Sequence, residues 1–125
     1  MDDLYREQIV DHYKNPRNFG ELDDATVKVR ETNASCGDMV EWVMKIDGGK
    51  VKEVRFKGLG CAISTAAASM LTEKVKGKRI GDLGKISDED MVELLGVKIN
   101  LGRIKCVTLP LKAMQKAVEE YEQKD

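Results

Sequence analysis

Between residues 25 and 60 the hydrophobic period of this chain is two. "ATVKVRET" alternates apolar and polar residues, "MVEWVMKID" alternates less cleanly, and "KVKEVRFKGLG" alternates again after the turn residues "DGGK". Such a period suits strands with one buried face, so the segment predicts three strands, the last two joined as a hairpin. On either side the period becomes helical. Asp2 or Asp3 can cap a first helix with an apolar stripe of Leu4, Ile9, Val10 and Tyr13, which "KNPRNFG" ends through Pro16 and Gly20. "AISTAAASMLTEKVKGK" reads as a helix rich in small residues and closed by Gly77. "ISDEDMVELLG" reads as a short helix with Ser87 as its cap and Glu89 or Asp90 in the first turn. In "VTLPLKAMQKAVEEYEQKD", Leu111, Met114, Val118 and Tyr121 recur at helical spacing, with Pro110 expected near the first turn. Strands first and helices afterwards predict an α+β fold: a three-stranded antiparallel sheet with helices packed on one face.

A chain of 125 residues suits one domain, 1–125, large enough to form a core without a disulfide or a structural metal. Its 21 basic and 22 acidic residues nearly cancel, which argues against a general nucleic-acid binder. No run of 18 apolar residues offers a membrane span, and "MDDLYREQIV" lacks the basic start and apolar core of a signal peptide. The expectation is a cytoplasmic protein, where thiols stay reduced, so the 3 cysteines need a purpose other than a disulfide framework.

Cys36 falls on the turn between the first two predicted strands, Cys61 between the third strand and the next helix, and Cys106 just ahead of the last helix. All three are therefore expected at ends of elements rather than within an apolar stripe. Two lie near helix N-termini, where the dipole and the open N–H groups favour thiolate, the form that binds metal or attacks sulfur. No C-x-x-C pair exists, so any shared site must be assembled by the fold. Spacing alone also allows three separate, partly buried thiols. The neighbours favour a common site: "SCGDM", "GLGCAIS" and "GRIKCVTL" place glycine, small residues or a charge beside each thiol. Gly37 and Gly60 would permit close backbone approach around anionic sulfur.

With "VDHYKNPRNFG" near the start and "TEKVKGK" after the second cysteine, these motifs make the chain resemble the IscU/NifU N-terminal family of iron–sulfur cluster assembly scaffolds, from about residue 4 to residue 121. The resemblance implies an IscU/SufU-like fold whose cysteine loops converge at one exposed end. It also implies that Cys36, Cys61, Cys106 and Asp38 hold a nascent [2Fe–2S] cluster. Asp38 would then be an oxygen ligand, or a group close behind the ligands, beside three soft thiolates, and easier for an acceptor's cysteine to displace than a fourth thiolate. The implied partners are a cysteine desulfurase and apo iron–sulfur acceptors, with a homodimer possible across a cluster. Cys106, or alternatively Cys36, is expected to receive persulfide sulfur first. In this role the chain is a carrier rather than an enzyme.

Two departures from that family are visible. Many scaffolds have histidine before the last cysteine, whereas this chain has Lys105, and its only histidine is His12 in the first predicted helix. A protonated lysine cannot coordinate metal but can favour nearby thiolates or balance an anionic cluster. His12 is expected at a helix surface or core edge. "GCAIS" and "IKCVTL" are similar to the SufU branch, which implies a second reading: a zinc-bound sulfur acceptor using the same four ligands, although the interval between Cys61 and Cys106 is short for that branch. The other departure is "LLGVKINLG" where an "LPPVK" motif would precede the last cysteine, so reliance on a dedicated DnaK-type chaperone is doubtful.

Overall fold

The computed structural model describes residues 2–33, 37–96 and 104–124. The elements follow as α1 (Asp2–Lys14), β1 (Val27–Asn33), β2 (Asp38–Asp47), β3 (Lys50–Leu59), α2 (Ala62–Val75), α3 (Ile80–Leu83), α4 (Asp88–Leu95) and α5 (Ile104–Lys124). The strands form one antiparallel sheet in the order β1-β2-β3. This is the expected α+β arrangement, with the short α3 as an addition that the sequence pattern did not suggest.

The hairpin turns at Gly48 and Gly49, whose φ angles of 60° and 79° explain why two glycines stand between paired Asp47 and Lys50. Val40, Trp42 and Met44 of β2 point to one face and meet Val27 and Val29 of β1 and Val51, Val54 and Phe56 of β3. Val51 and Val54 are three residues apart, out of step for a simple strand. A register shift at Lys45/Ile46 absorbs the extra residue, so both valines reach the core. Near the other end of the sheet, a side chain at Gly58 would overlap the Met39 carbonyl. Glycine there lets β2 and β3 approach at the edge that carries the site.

α2 and α5 cover the core face of the sheet, and α1 and α4 pack in turn on α2 and α5. Residues 66–72 of α2 are buried without a break, so every face of that stretch is covered. Its run of alanine, with Ser69, is what permits such close neighbours. Trp42, Met44, Leu71 and Met114 are fully buried, each contributing roughly 1.5–3 kcal/mol relative to exposure. The opposite sheet face carries the buried carboxylate of Glu41, surrounded by Lys28 (3.5 Å), Arg30 (3.4 Å) and Lys57 (4.0 Å). Those cations offset the cost of burying its charge.

Several local expectations are corrected. Asp2 and Asp3 lie inside α1 rather than capping it. On that helix Ile9 and His12 are buried while Val10 and Tyr13 are 42% and 46% exposed, because the face turned to α2 is one step round from the apolar stripe. Pro110 lies seven residues into α5, where it lacks the N–H that a helix interior would direct to the Cys106 carbonyl. Burial of Val107, Leu109, Leu111 and Met114 offsets that loss and extends the helix back to Ile104. The cap of α4 is as expected: Ser87 Oγ accepts from the Asp90 N–H at 3.2 Å, and Asp90 accepts from the Ser87 N–H at 2.9 Å.

Candidate metal centre

Three elements deliver one side chain each to the same end of the sheet. Asp38 is the first residue of β2, Cys61 is the N-cap of α2, and Cys106 is the third residue of α5. One ligand atom from each lies within 4.8 Å of the others. Cys106 is thus inside the last helix rather than ahead of it. Cys36 lies outside the described residues, as do 97–103, which include most of the stretch compared with "LPPVK".

The surroundings of this triangle suit an anionic ligand set. The Cys61 side chain makes no capping hydrogen bond, and neither α2 nor α5 has an acidic residue in its first turn. Two helix N-termini therefore direct partial positive charge into one small volume. Lys105 is exposed beside Cys106. Cys106 is 4% exposed and Cys61 half-buried, so Cys106, expected to receive sulfur first, is the less accessible of the two described thiols.

Asp38 supplies the test of whether a metal fits. Its side chain is 5% exposed, and Oδ2 is buried without a hydrogen-bond partner among the described residues. A carboxylate oxygen in that state is costly unless something positive or hydrogen-donating meets it. With two sulfurs within 4.8 Å, a cation with mixed oxygen and sulfur preference meets the need. Gly37 has φ 72°, a left-handed conformation that glycine adopts without strain immediately before Asp38. Gly60 lies against the same carboxylate, with the position of an added Cβ 3.6 Å from Asp38 Cγ.

His12 is not part of this group. Its Nδ1 is 2.7 Å from Ser69 Oγ on α2, and Nε2 is 3.6 Å from Glu73. Burial, aided by the charge of Arg17, lowers its pKa below the ordinary histidine value, despite the opposing pull of Glu73 and Asp11. Ser69 Oγ also accepts from the Arg17 N–H at 2.8 Å, and Thr72 Oγ1 accepts from Asn18 at 3.0 Å. The segment "DHYKNPRN" is therefore an anchor that fastens the chain after α1 to α2. The larger surface recesses also lie elsewhere: about 420 Å³ beside Arg17 and Lys76, and about 480 Å³ beside Lys28 and Glu41. Neither is lined by a thiol of the described residues. Sequence reasoning missed Ser64, which is 1% exposed and packed against Gly60; its only signal was the place of serine in "GCAIS".

With this geometry stand the comparisons with known proteins. The profile of the NifU-like N terminal domain matches residues 4–125. The chain belongs to that family. Among relatives of this NifU-like domain, the zinc-dependent sulfurtransferase SufU of Bacillus subtilis is 44% identical over 139 residues, covering 98% of this chain and 94% of the relative. The iron-sulfur cluster assembly enzyme IscU of Drosophila melanogaster is 38% identical over 125 residues, covering 97% and 80%. A crystal structure from Fervidobacterium islandicum, described as a putative iron-sulfur cluster assembly scaffold protein for the SUF system, superposes with a TM-score of 0.80 at 30% identity. It covers 90% of this chain and 94% of that one. The NifU-like fold accounts for the sheet and the covering helices.

Proposed function

We propose that this protein is a scaffold on which a [2Fe–2S] cluster is assembled from iron and desulfurase-derived sulfur and then passed to apo acceptor proteins. The observation that carries the reading is the convergence of Asp38, Cys61 and Cys106, with Asp38 Oδ2 buried and unmet by any described donor. Cys36, two residues before Asp38 in the sequence, completes the proposed set as a third thiolate. The cluster is cargo, so the site has to release what it holds. Three thiolates bind iron strongly, while one carboxylate is a weaker partner that an acceptor's cysteine can replace. The half-buried Cys61 gives an incoming partner a first point of contact. Partners are a cysteine desulfurase and apo iron–sulfur proteins in the cytoplasm, and a second copy of the chain can close the exposed end over a cluster.

A second reading is favoured by a specific observation. The relative with 44% identity is a zinc-dependent sulfurtransferase, and Lys105 stands beside Cys106 where a histidine-ligated scaffold would have its extra ligand. In that reading the same four residues hold zinc, which supplies charge and fixed geometry to thiolates that accept sulfur. Against it, 139 aligned positions cannot be filled by 125 residues, so that relative carries residues with no counterpart here.

Anaerobic reconstitution with iron, sulfide and thiol, followed by the visible spectrum and metal analysis, separates the two. A brown species with about two irons per cluster, lost in Cys106→Ala, is the expected result. Stoichiometric zinc with no uptake of iron would replace the scaffold reading by the sulfur-acceptor reading.

A further inference from the structure

Ser64 follows the N-cap Cys61 by three residues, on the first turn of α2, and is 1% exposed. Its hydroxyl donates to the Cys61 carbonyl at 3.3 Å, a long bond to an oxygen that also accepts the Thr65 N–H at 3.1 Å. A buried hydroxyl held this weakly has capacity for a better acceptor. Gly60 determines which acceptor is near. A Cβ added to Gly60 would overlap Ser64 Oγ and lie 3.6 Å from both Cγ and Oδ1 of Asp38. Gly60 is not among the glycines with positive φ, so the backbone does not demand glycine there. Its contribution is the missing side chain, which leaves space beside both the serine hydroxyl and the aspartate carboxylate. The adjoining cavity, which Gly60 and Ser64 both line, is about 10 Å³, at the lower limit for a single water.

We propose that Ser64 is a positioning residue for Asp38: its hydroxyl turns from the Cys61 carbonyl to the aspartate when that carboxylate is displaced from the metal by incoming sulfur. This rests on the reading that Asp38 is a ligand of the centre. While Asp38 is ligated, the cation meets its charge and Ser64 stays on Cys61. When sulfur takes its place, a buried carboxylate would be left bare, at a cost that would resist exchange. Rotation of Ser64 about χ1 replaces one hydrogen bond to a neutral oxygen by one to a charged oxygen, with no proton transferred. Ligand exchange becomes easier without weakening the resting site.

The test uses the full chain loaded with Co²⁺ and titrated anaerobically with β-mercaptoethanol. Replacement of the carboxylate by a fourth thiolate raises the sulfur-to-cobalt charge-transfer absorption. Ser64→Ala should require about tenfold more thiol for half-replacement, equivalent to about 1.4 kcal/mol, with cobalt affinity in the absence of thiol unchanged. Gly60→Ala, whose Cβ occupies the place of the hydroxyl, should shift the midpoint in the same direction and serves if Ser64→Ala folds poorly. A wild-type midpoint in Ser64→Ala, or loss of cobalt rather than a rise in absorption when thiol is added to wild type, would overturn the role of Ser64. Wild-type protein that binds no cobalt, or whose affinity is unmoved by Asp38→Ala, would overturn the ligand reading beneath it.

Discussion

His12 and Asp38 are both buried polar residues, yet their surroundings give them different tasks. Ser69 meets the His12 ring at 2.7 Å, whereas Asp38 Oδ2 has no described partner. The first arrangement stabilises a neutral imidazole, and the second leaves a buried oxygen that a cation would satisfy. The shift at His12 carries a sign for stability. Because burial lowers its pKa in the folded chain, the unfolded chain binds the proton more readily, so folding weakens as pH falls through the ordinary histidine value near 6.5. The melting temperature should decline from pH 7 to pH 5, and His12→Gln should flatten that decline in thermal scans read by Trp42 fluorescence. An unchanged slope would assign the pH dependence to other groups. Carboxylates with lowered pKa, including Asp11 beside Arg17 and Asp90 in its capping box, act in a lower window, around and below pH 4.

α2 shows how one element can serve both the core and the site. Its N-terminus carries Cys61 and Ser64, its middle is the buried stretch of alanine and serine, and Ser69 and Thr72 hold the chain after α1. The element was legible from its small residues and Gly77, but not the reason for them, which is that neighbours cover all its faces. Enlarging the fully buried Ala67 to Leu should lower stability by about 1–3 kcal/mol through overpacking. A melting temperature within a degree of wild type would mean that the helix can move away from its neighbours. α5 marks where local reading fails. Pro110 suggested a helix start, but packing of the buried residues around it carries the helix back past Cys106.

Across the whole molecule, the candidate centre joins β2, α2 and α5 through side chains 23 and 45 residues apart, so a bound metal cross-links the three elements. Binding only to the folded chain raises stability with metal concentration, by about 2.7 kcal/mol at a hundredfold excess over Kd. Adding a chelator to metal-loaded protein should therefore lower the melting temperature by several degrees, reversibly on returning metal. A chelator-insensitive transition in protein shown by analysis to have lost its metal would mean that binding does not tie these elements together. The described helices include none long and apolar enough to cross a membrane. On the outer sheet face, Lys28, Arg30 and Lys57 gather about Glu41, a grouping that the nearly cancelling charge count does not reveal.

Local pattern was enough to place the three strands, the hairpin glycines and the Ser87 cap of α4, because those features depend on residues within a few positions of each other. The candidate ligands were legible as residue types at element ends and through family motifs. Their meeting within 4.8 Å was decided by the tertiary structure, since nothing local relates Asp38 to Cys61 or Cys61 to Cys106. The same holds for the inward face of α1, the start of α5 and the closeness of Ser64 to Asp38 across Gly60. Each depends on which surface a distant segment covers, and burial over such distances is decided by packing rather than by the order of neighbouring residues.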